Sequence, residues 1–155
     1  MNIWIINGPN LNLLGKRNPE QYGTTTLAEL IQNLHQKYDN STTTIYDYQS
    51  NHEGFLIDKI HEIGFEEDTY AIINPGGLTH TSISLRDAIE SVNIEFVEVH
   101  ISDIHNRESY RKHSYIEDVV DRSIIGQGIK GYEIAVDYLL DKYSSSWITD
   151  SSTSE

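Results

Sequence analysis

Short apolar runs alternate with amphipathic stripes along this chain, and that alternation restricts it to few folds. Ile3-Trp4-Ile5-Ile6 is the first run, and Tyr70-Ala71-Ile72-Ile73 is the clearest. Runs this short, uninterrupted by charge, fit strands buried on both faces. Thr42 to Tyr48, rich in Thr, Ile and Tyr, reads as the second strand. Ile94 to Val99 and Arg122 to Ile125 supply the fourth and fifth. Between these runs stand Leu27, Leu30, Ile31, Leu34 and Tyr38, then Leu56, Ile60 and Ile63, then Leu85, Ala88, Ile89 and Val92. Each set recurs at the spacing of one helix face, as do Tyr132, Ala135, Val136 and Leu139 near the end. Thr26 with Glu29, and Ser50 with Glu53, have the spacing of capping boxes, and Gly64 suits a helix C-terminus. Helices between successive strands imply right-handed crossovers and a parallel sheet. The expected architecture is α/β: a doubly wound five-stranded parallel sheet with helices on both faces, in one domain over residues 1–143. The Ser/Thr-rich stretch 144–155, with Trp147 and Ile148 inside it, reads as a loose C-terminal tail.

Charge limits the partners. The 155 residues carry 24 Asp and Glu against 11 Lys and Arg, a net charge of −13. Such a balance argues against nucleic acid and anionic membrane. With no Cys in the chain, a thiol nucleophile, a disulfide framework and a Cys-bound metal are excluded. No apolar stretch has the length of a membrane span, and no signal peptide opens the chain, so a cytoplasmic location is expected. Histidines 80, 100, 105 and 113 match no common zinc spacing, and no metal or cofactor is expected.

The polar residues concentrate after strands. The first group runs from Asn7 to Gly23 and is long for a strand-to-helix connection, as lids and binding loops are. The second is Asn74-Pro75-Gly76-Gly77-Leu78-Thr79-His80-Thr81-Ser82, where paired glycines let the backbone approach a ligand closely. The third runs from Glu98 to Arg111. In the flavodoxin-like strand order, strands one, three and four are neighbours, so all three groups converge on one crevice at the strand ends. The pooled Tyr22, Arg17, Arg107, Arg111, His80, His100, Glu98, Asn10, Asn74 and Ser102 suit acid–base chemistry on a polar anion. Taken singly, each has a plainer reading. Tyr22 is one of ten tyrosines, Glu98 and His100 suit a structural pair, and Arg107 and Arg111 suit helix-surface charges.

Taken in order, the motifs resemble the type II 3-dehydroquinate dehydratases, the flavodoxin-like dehydroquinases. The resemblance rests on Asn7-Gly8-Pro9-Asn10, Arg17 with Tyr22-Gly23, Gln49-Ser50-Asn51, Asn74-Pro75-Gly76-Gly77 with Thr79-His80-Thr81-Ser82, Leu85-Arg86-Asp87-Ala88, Glu98-Val99-His100-Ile101-Ser102, and Gly126-Gln127-Gly128 with Gly131-Tyr132. It spans about residues 2 to 140. The chain departs from common family usage at Asp103, Glu117 and Asp118.

The resemblance implies reversible trans dehydration of 3-dehydroquinate to 3-dehydroshikimate through an enolate, in the shikimate pathway. It makes Tyr22 the general base, with Arg17 favouring its phenolate. It gives Asn10 a water at the enolate oxygen, and makes His100, paired with Glu98, the acid for the departing hydroxyl. Asn74, His80 and Arg111 are implied to hold substrate hydroxyls, with Gly76 and Gly77 at the same turn. Ile101 and Ser102 are implied to hold the carboxylate, and Arg107 to border the site. Asp87 is implied to reach a neighbouring subunit's site, in a homododecamer built as a tetramer of trimers. The rival reading is a non-catalytic flavodoxin-like module binding a nucleotide or phosphate. It calls for a fuller Gly-rich loop after strand one, where this chain has Pro9 and Asn10. A Schiff-base route is set aside, because none of the lysines lies in an apolar run that would depress its pKa.

Overall fold

The computed structural model describes residues 1–144; the tail expected beyond them, with Trp147 and Ile148, lies outside the described residues. Five parallel strands form one sheet: β1 (Asn2–Asn7), β2 (Thr44–Gln49), β3 (Thr69–Asn74), β4 (Glu95–His100) and β5 (Arg122–Ile125). Their order is β2-β1-β3-β4-β5, which is the flavodoxin-like order. The helices are α1 (Pro19–Tyr22), α2 (Leu27–Tyr38), α3 (Glu53–Ile63), α4 (Ile83–Glu90) and α5 (Lys130–Ser144).

Side chains alternate across each strand, and both faces of the sheet are covered. Ile3, Ile5, Ile72, Val97 and Val99 pack with the buried residues of α2 and α5. Ile6, Ala71, Ile73 and Phe96 pack with those of α3 and α4. Burying an Ile or Leu fully stabilises by about 1.5–3 kcal/mol. That decides the case of α4, which has eight residues and is too short to persist alone. Burial of Leu85, Ala88 and Ile89 holds it against the sheet.

Local signals were honoured unevenly. Thr26 caps α2 by accepting from the Glu29 amide at 3.2 Å. The expected box at Ser50 and Glu53 does not form. Ser50 instead accepts from the His52 amide two residues on, at 2.9 Å, and His52 occupies the cap position of α3. Strand β2 begins at Thr44 rather than Thr42, because Asn40 Oδ1 draws the Thr42 and Thr43 amides into a turn, each at 2.8 Å. Helix α5 extends through Ser144, one residue past the expected domain boundary.

Candidate active site

The register of the sheet levels three strand ends. Asn7 pairs with Asn74, Ile73 with Glu98, and His100 with Ile125. The C-terminal ends of β1, β3 and β4 therefore stand side by side at the switch in strand order, where open α/β sheets bind ligands. The first two ends are joined through α5. The Tyr132 hydroxyl donates to Asn7 Oδ1 at 2.5 Å and accepts from Asn74 Nδ2 at 3.0 Å. Burial pushes the Tyr132 phenol far above its ordinary value, so it stays a neutral donor. The following turns stack directly: the Gly8 amide donates to the Asn74 carbonyl at 2.8 Å. Gly8 has no room for a side chain, since a Cβ there would lie 2.3 Å from the Pro75 carbonyl oxygen. Gly76 has a φ of +62° and would press a Cβ to 2.8 Å from the Pro9 oxygen.

Above these turns lies a cavity of about 140 Å³. Asn10, Arg17, Tyr22, Asn74, Gly76, Gly77, His80, His100, Ile101, Ser102, Arg107 and Arg111 all line it. Glu98 lies beneath it, fully buried behind His100. Asp87 lies apart, exposed on α4 and outside the cavity of its own chain. Sequence reasoning missed the apolar wall made by Pro9, Leu11, Leu14 and Ile104. Leu11 and Leu14, three apart in an otherwise polar segment and both buried, were the available signal.

The polar groups are held in definite states. Tyr22 sits on α1, whose first residue is Pro19, a natural helix opener. Its hydroxyl accepts from Arg107 Nη1 at 2.7 Å, and the same nitrogen reaches Ser102 Oγ at 3.4 Å. The Arg17 guanidinium stands 5.3 Å from the Tyr22 ring centre, a cation–π distance. Asn10 adopts a left-handed backbone at φ 70°, and its amide is held by Asn51 Oδ1 at 2.9 Å. Asn51 in turn accepts from Gln49 Nε2 at 3.2 Å.

His100 also lines the cavity, and its Nε2 meets Glu98 Oε2 at 2.6 Å. That contact leaves Nδ1 as the ring nitrogen able to exchange a proton with a ligand. Burial pushes the Glu98 carboxyl up, but the contacts from His100, Ser114 and Ser123 outweigh it and hold the group below the ordinary carboxylate range. His80 Nδ1 donates to the His113 carbonyl at 2.7 Å. Burial is the largest influence on His80; His100 and Arg111 add to it, and the ring is held below its ordinary value. A neutral His80 with its proton on Nδ1 offers Nε2 as an acceptor. Three arginines thus gather at one cavity of a chain whose net charge is −13, a local field opposite to the whole. The departures at Asp103 and Asp118 have structural partners. Asp103 accepts from the His105 amide at 3.1 Å, and Asp118 pairs with Arg86.

The chain is thus a doubly wound α/β domain whose strand-end cavity is lined by a tyrosine, histidines and arginines. The chain belongs to the dehydroquinase class II family, whose model matches residues 1–140. It is 52% identical over 136 residues to a catabolic 3-dehydroquinase of Phaeosphaeria nodorum, covering 88% of this chain and 89% of that one. It is 47% identical to a 3-dehydroquinate dehydratase of Buchnera aphidicola, over 92% of this chain and 96% of the relative. The type II dehydroquinase structure from Butyrivibrio crossotus superposes with a TM-score of 0.86 at 44% identity, over 90% of this chain and 97% of that one.

The Glu98 environment predicts acid lability. Between its depressed folded value and the ordinary carboxylate value, only the unfolded chain takes up that proton. Stability therefore falls as pH falls through that window. Urea midpoints should decline below about pH 5, and Glu98→Gln should decline less steeply than wild type. Parallel slopes for the two proteins would contradict a native-state carboxylate at this position.

Proposed function

We propose that this chain dehydrates 3-dehydroquinate to 3-dehydroshikimate by trans elimination through an enolate. The observation that carries this reading is that an arginine-held Tyr22 hydroxyl and a carboxylate-backed His100 line one small cavity. The Tyr22 oxygen removes a proton from the carbon next to the ketone, and the electron pair moves onto the carbonyl oxygen. Asn10 positions a water that donates to the resulting enolate oxygen; donors fixed in advance stabilise such charge strongly. The enolate then collapses and expels the hydroxyl on the far side of the ring. His100 delivers its Nδ1 proton to that hydroxyl, which leaves as water. The Tyr22 proton returns to solvent and His100 regains one from it, so the cycle closes with no external oxidant or reductant.

The remaining side chains bind. Arg107 and Arg17 keep positive charge beside Tyr22. Ile101 and Ser102 hold the substrate carboxylate. Asn74, His80 and Arg111 hold ring hydroxyls, with the Nε2 of a neutral His80 as acceptor. Gly76 and Gly77 keep that turn free of side chains, and Leu11, Leu14 and Ile104 cover the apolar ring edge and exclude water. We place the reaction in the cytoplasmic shikimate route to aromatic amino acids, in a homododecamer of four trimers in which Asp87 supports a neighbouring site. Among the described residues no helix is long and apolar enough to cross a membrane.

Purified protein without added cofactor should convert 3-dehydroquinate to a conjugated enone, followed by its ultraviolet absorbance. Tyr22→Phe and His100→Ala should each fold normally and lose roughly 10²–10⁴-fold in turnover, the usual scale for a general base or acid. Near-full turnover in Tyr22→Phe would mean that another group is the base. Light scattering should find a dodecamer, and Asp87→Ala should lower activity without changing the fold. A fully active monomer would remove both the assembly and the shared role of Asp87.

A further inference from the structure

The buried Glu98 carboxylate is held by more than its histidine. Ser114 Oγ donates to Oε2 at 2.6 Å, and Ser123 Oγ donates to Oε1 at 2.7 Å. Neither serine lines the cavity. Ser123 stands directly opposite Glu98 on β5. Ser114 arrives from a strap that follows the Ser109–Arg111 turn, and the strap is tied at several points. Its His113 carbonyl accepts from His80 at 2.7 Å, and its Tyr115 amide donates to the Thr79 carbonyl at 2.9 Å. Arg86 donates to the Tyr115 carbonyl at 2.8 Å and pairs with Asp118 beyond it. His80, after β3, interacts electrostatically with both Glu98 and His100, and Arg111, from the turn before the strap, acts on His80.

Resting on the reading of His100 as the acid, we propose that Ser114 and Ser123 are positioning residues that keep Glu98 ionised and the shared proton on His100 Nε2. Two forms of the pair have the same number of protons. In one, carboxylate faces imidazolium, and Nδ1 carries a readily lost proton. In the other, the proton has crossed from Nε2 to Glu98, leaving a neutral ring and a much weaker acid at Nδ1. Hydroxyl donors stabilise the ionised carboxylate more strongly than the neutral acid, so they favour the first form. The buried setting makes the selection stringent, because few other donors can reach a fully buried carboxylate. Neither hydroxyl lines the cavity, so their loss acts on the proton rather than on binding.

The test compares Ser114→Ala and Ser123→Ala with wild type, using nitrogen-15 labelled histidine and steady-state kinetics. Ser123→Ala is the cleaner variant. Among the described residues, the Ser123 hydroxyl bonds only Glu98, whereas Ser114 also accepts from the Ile116 amide at 3.3 Å. The account expects the His100 Nε2 signal to move toward an unprotonated nitrogen in each variant. It also expects kcat to fall roughly tenfold, the scale of one hydrogen bond to a charged group, with KM nearly unchanged. Wild-type His100 signals and an unchanged kcat in both variants would overturn the proposal. Full turnover in His100→Ala would instead remove the acid role, while the nitrogen signals still report on the serines.

Discussion

The site depends on a hydrogen-bonded line buried between the sheet and the last helix: Asn7, the Tyr132 hydroxyl and Asn74. All three residues are buried, so losing one partner strands the others at about 1–3 kcal/mol per unsatisfied group. The line joins the ends of β1 and β3 and leaves the Asn74 side chain in one orientation. Its Oδ1 then accepts from the Gly76 amide at 3.2 Å and starts the next turn. From that turn follow Gly76 against Pro9, His80 against the strap, and the floor of the cavity. A small error in the register of these strands would separate every group assigned a chemical role.

Electrostatics is organised in the same local way. The chain is strongly acidic, yet Arg17, Arg107 and Arg111 gather where an anion is to be held. Glu98 is the one acid buried within the site, and it is matched by a histidine and two hydroxyls. The carboxylate therefore has its charge matched within the fold. Arg107 links the proposed base, through the Tyr22 hydroxyl, with the proposed carboxylate subsite, through Ser102.

Much of this was legible in the sequence, for a physical reason. A parallel sheet covered on both faces needs uninterrupted apolar runs, and Ile3 to Ile6 and Tyr70 to Ile73 have no other use. The strand ends then had to carry Asn10, His80 and His100, because the sheet's topology brings those positions together. Legibility failed where tertiary contacts compete with local ones. Thr42 and Thr43 have strand propensity, but the side chain of Asn40 takes their amides. Ser50 has cap spacing, but its hydroxyl is used two residues on. Tyr132 read as a helix-face residue and part of a family motif, Ser123 only as a residue of the fifth strand, and Ser114 carried no reading. Their partners are 58 or more, 16 and 25 residues away in the chain, beyond any local pattern.

The central claim is that base and acid act on opposite sides of the substrate ring. It is tested most directly with 3-dehydroquinate bearing a single deuterium next to the ketone, prepared in each of its two configurations. Mass analysis of the product should show deuterium lost only when it stands trans to the departing hydroxyl, and retained when it stands cis. That loss should become far slower in Tyr22→Phe. Loss of the cis deuterium by the wild-type protein would contradict the account, because one face of the cavity would then supply both proton transfers.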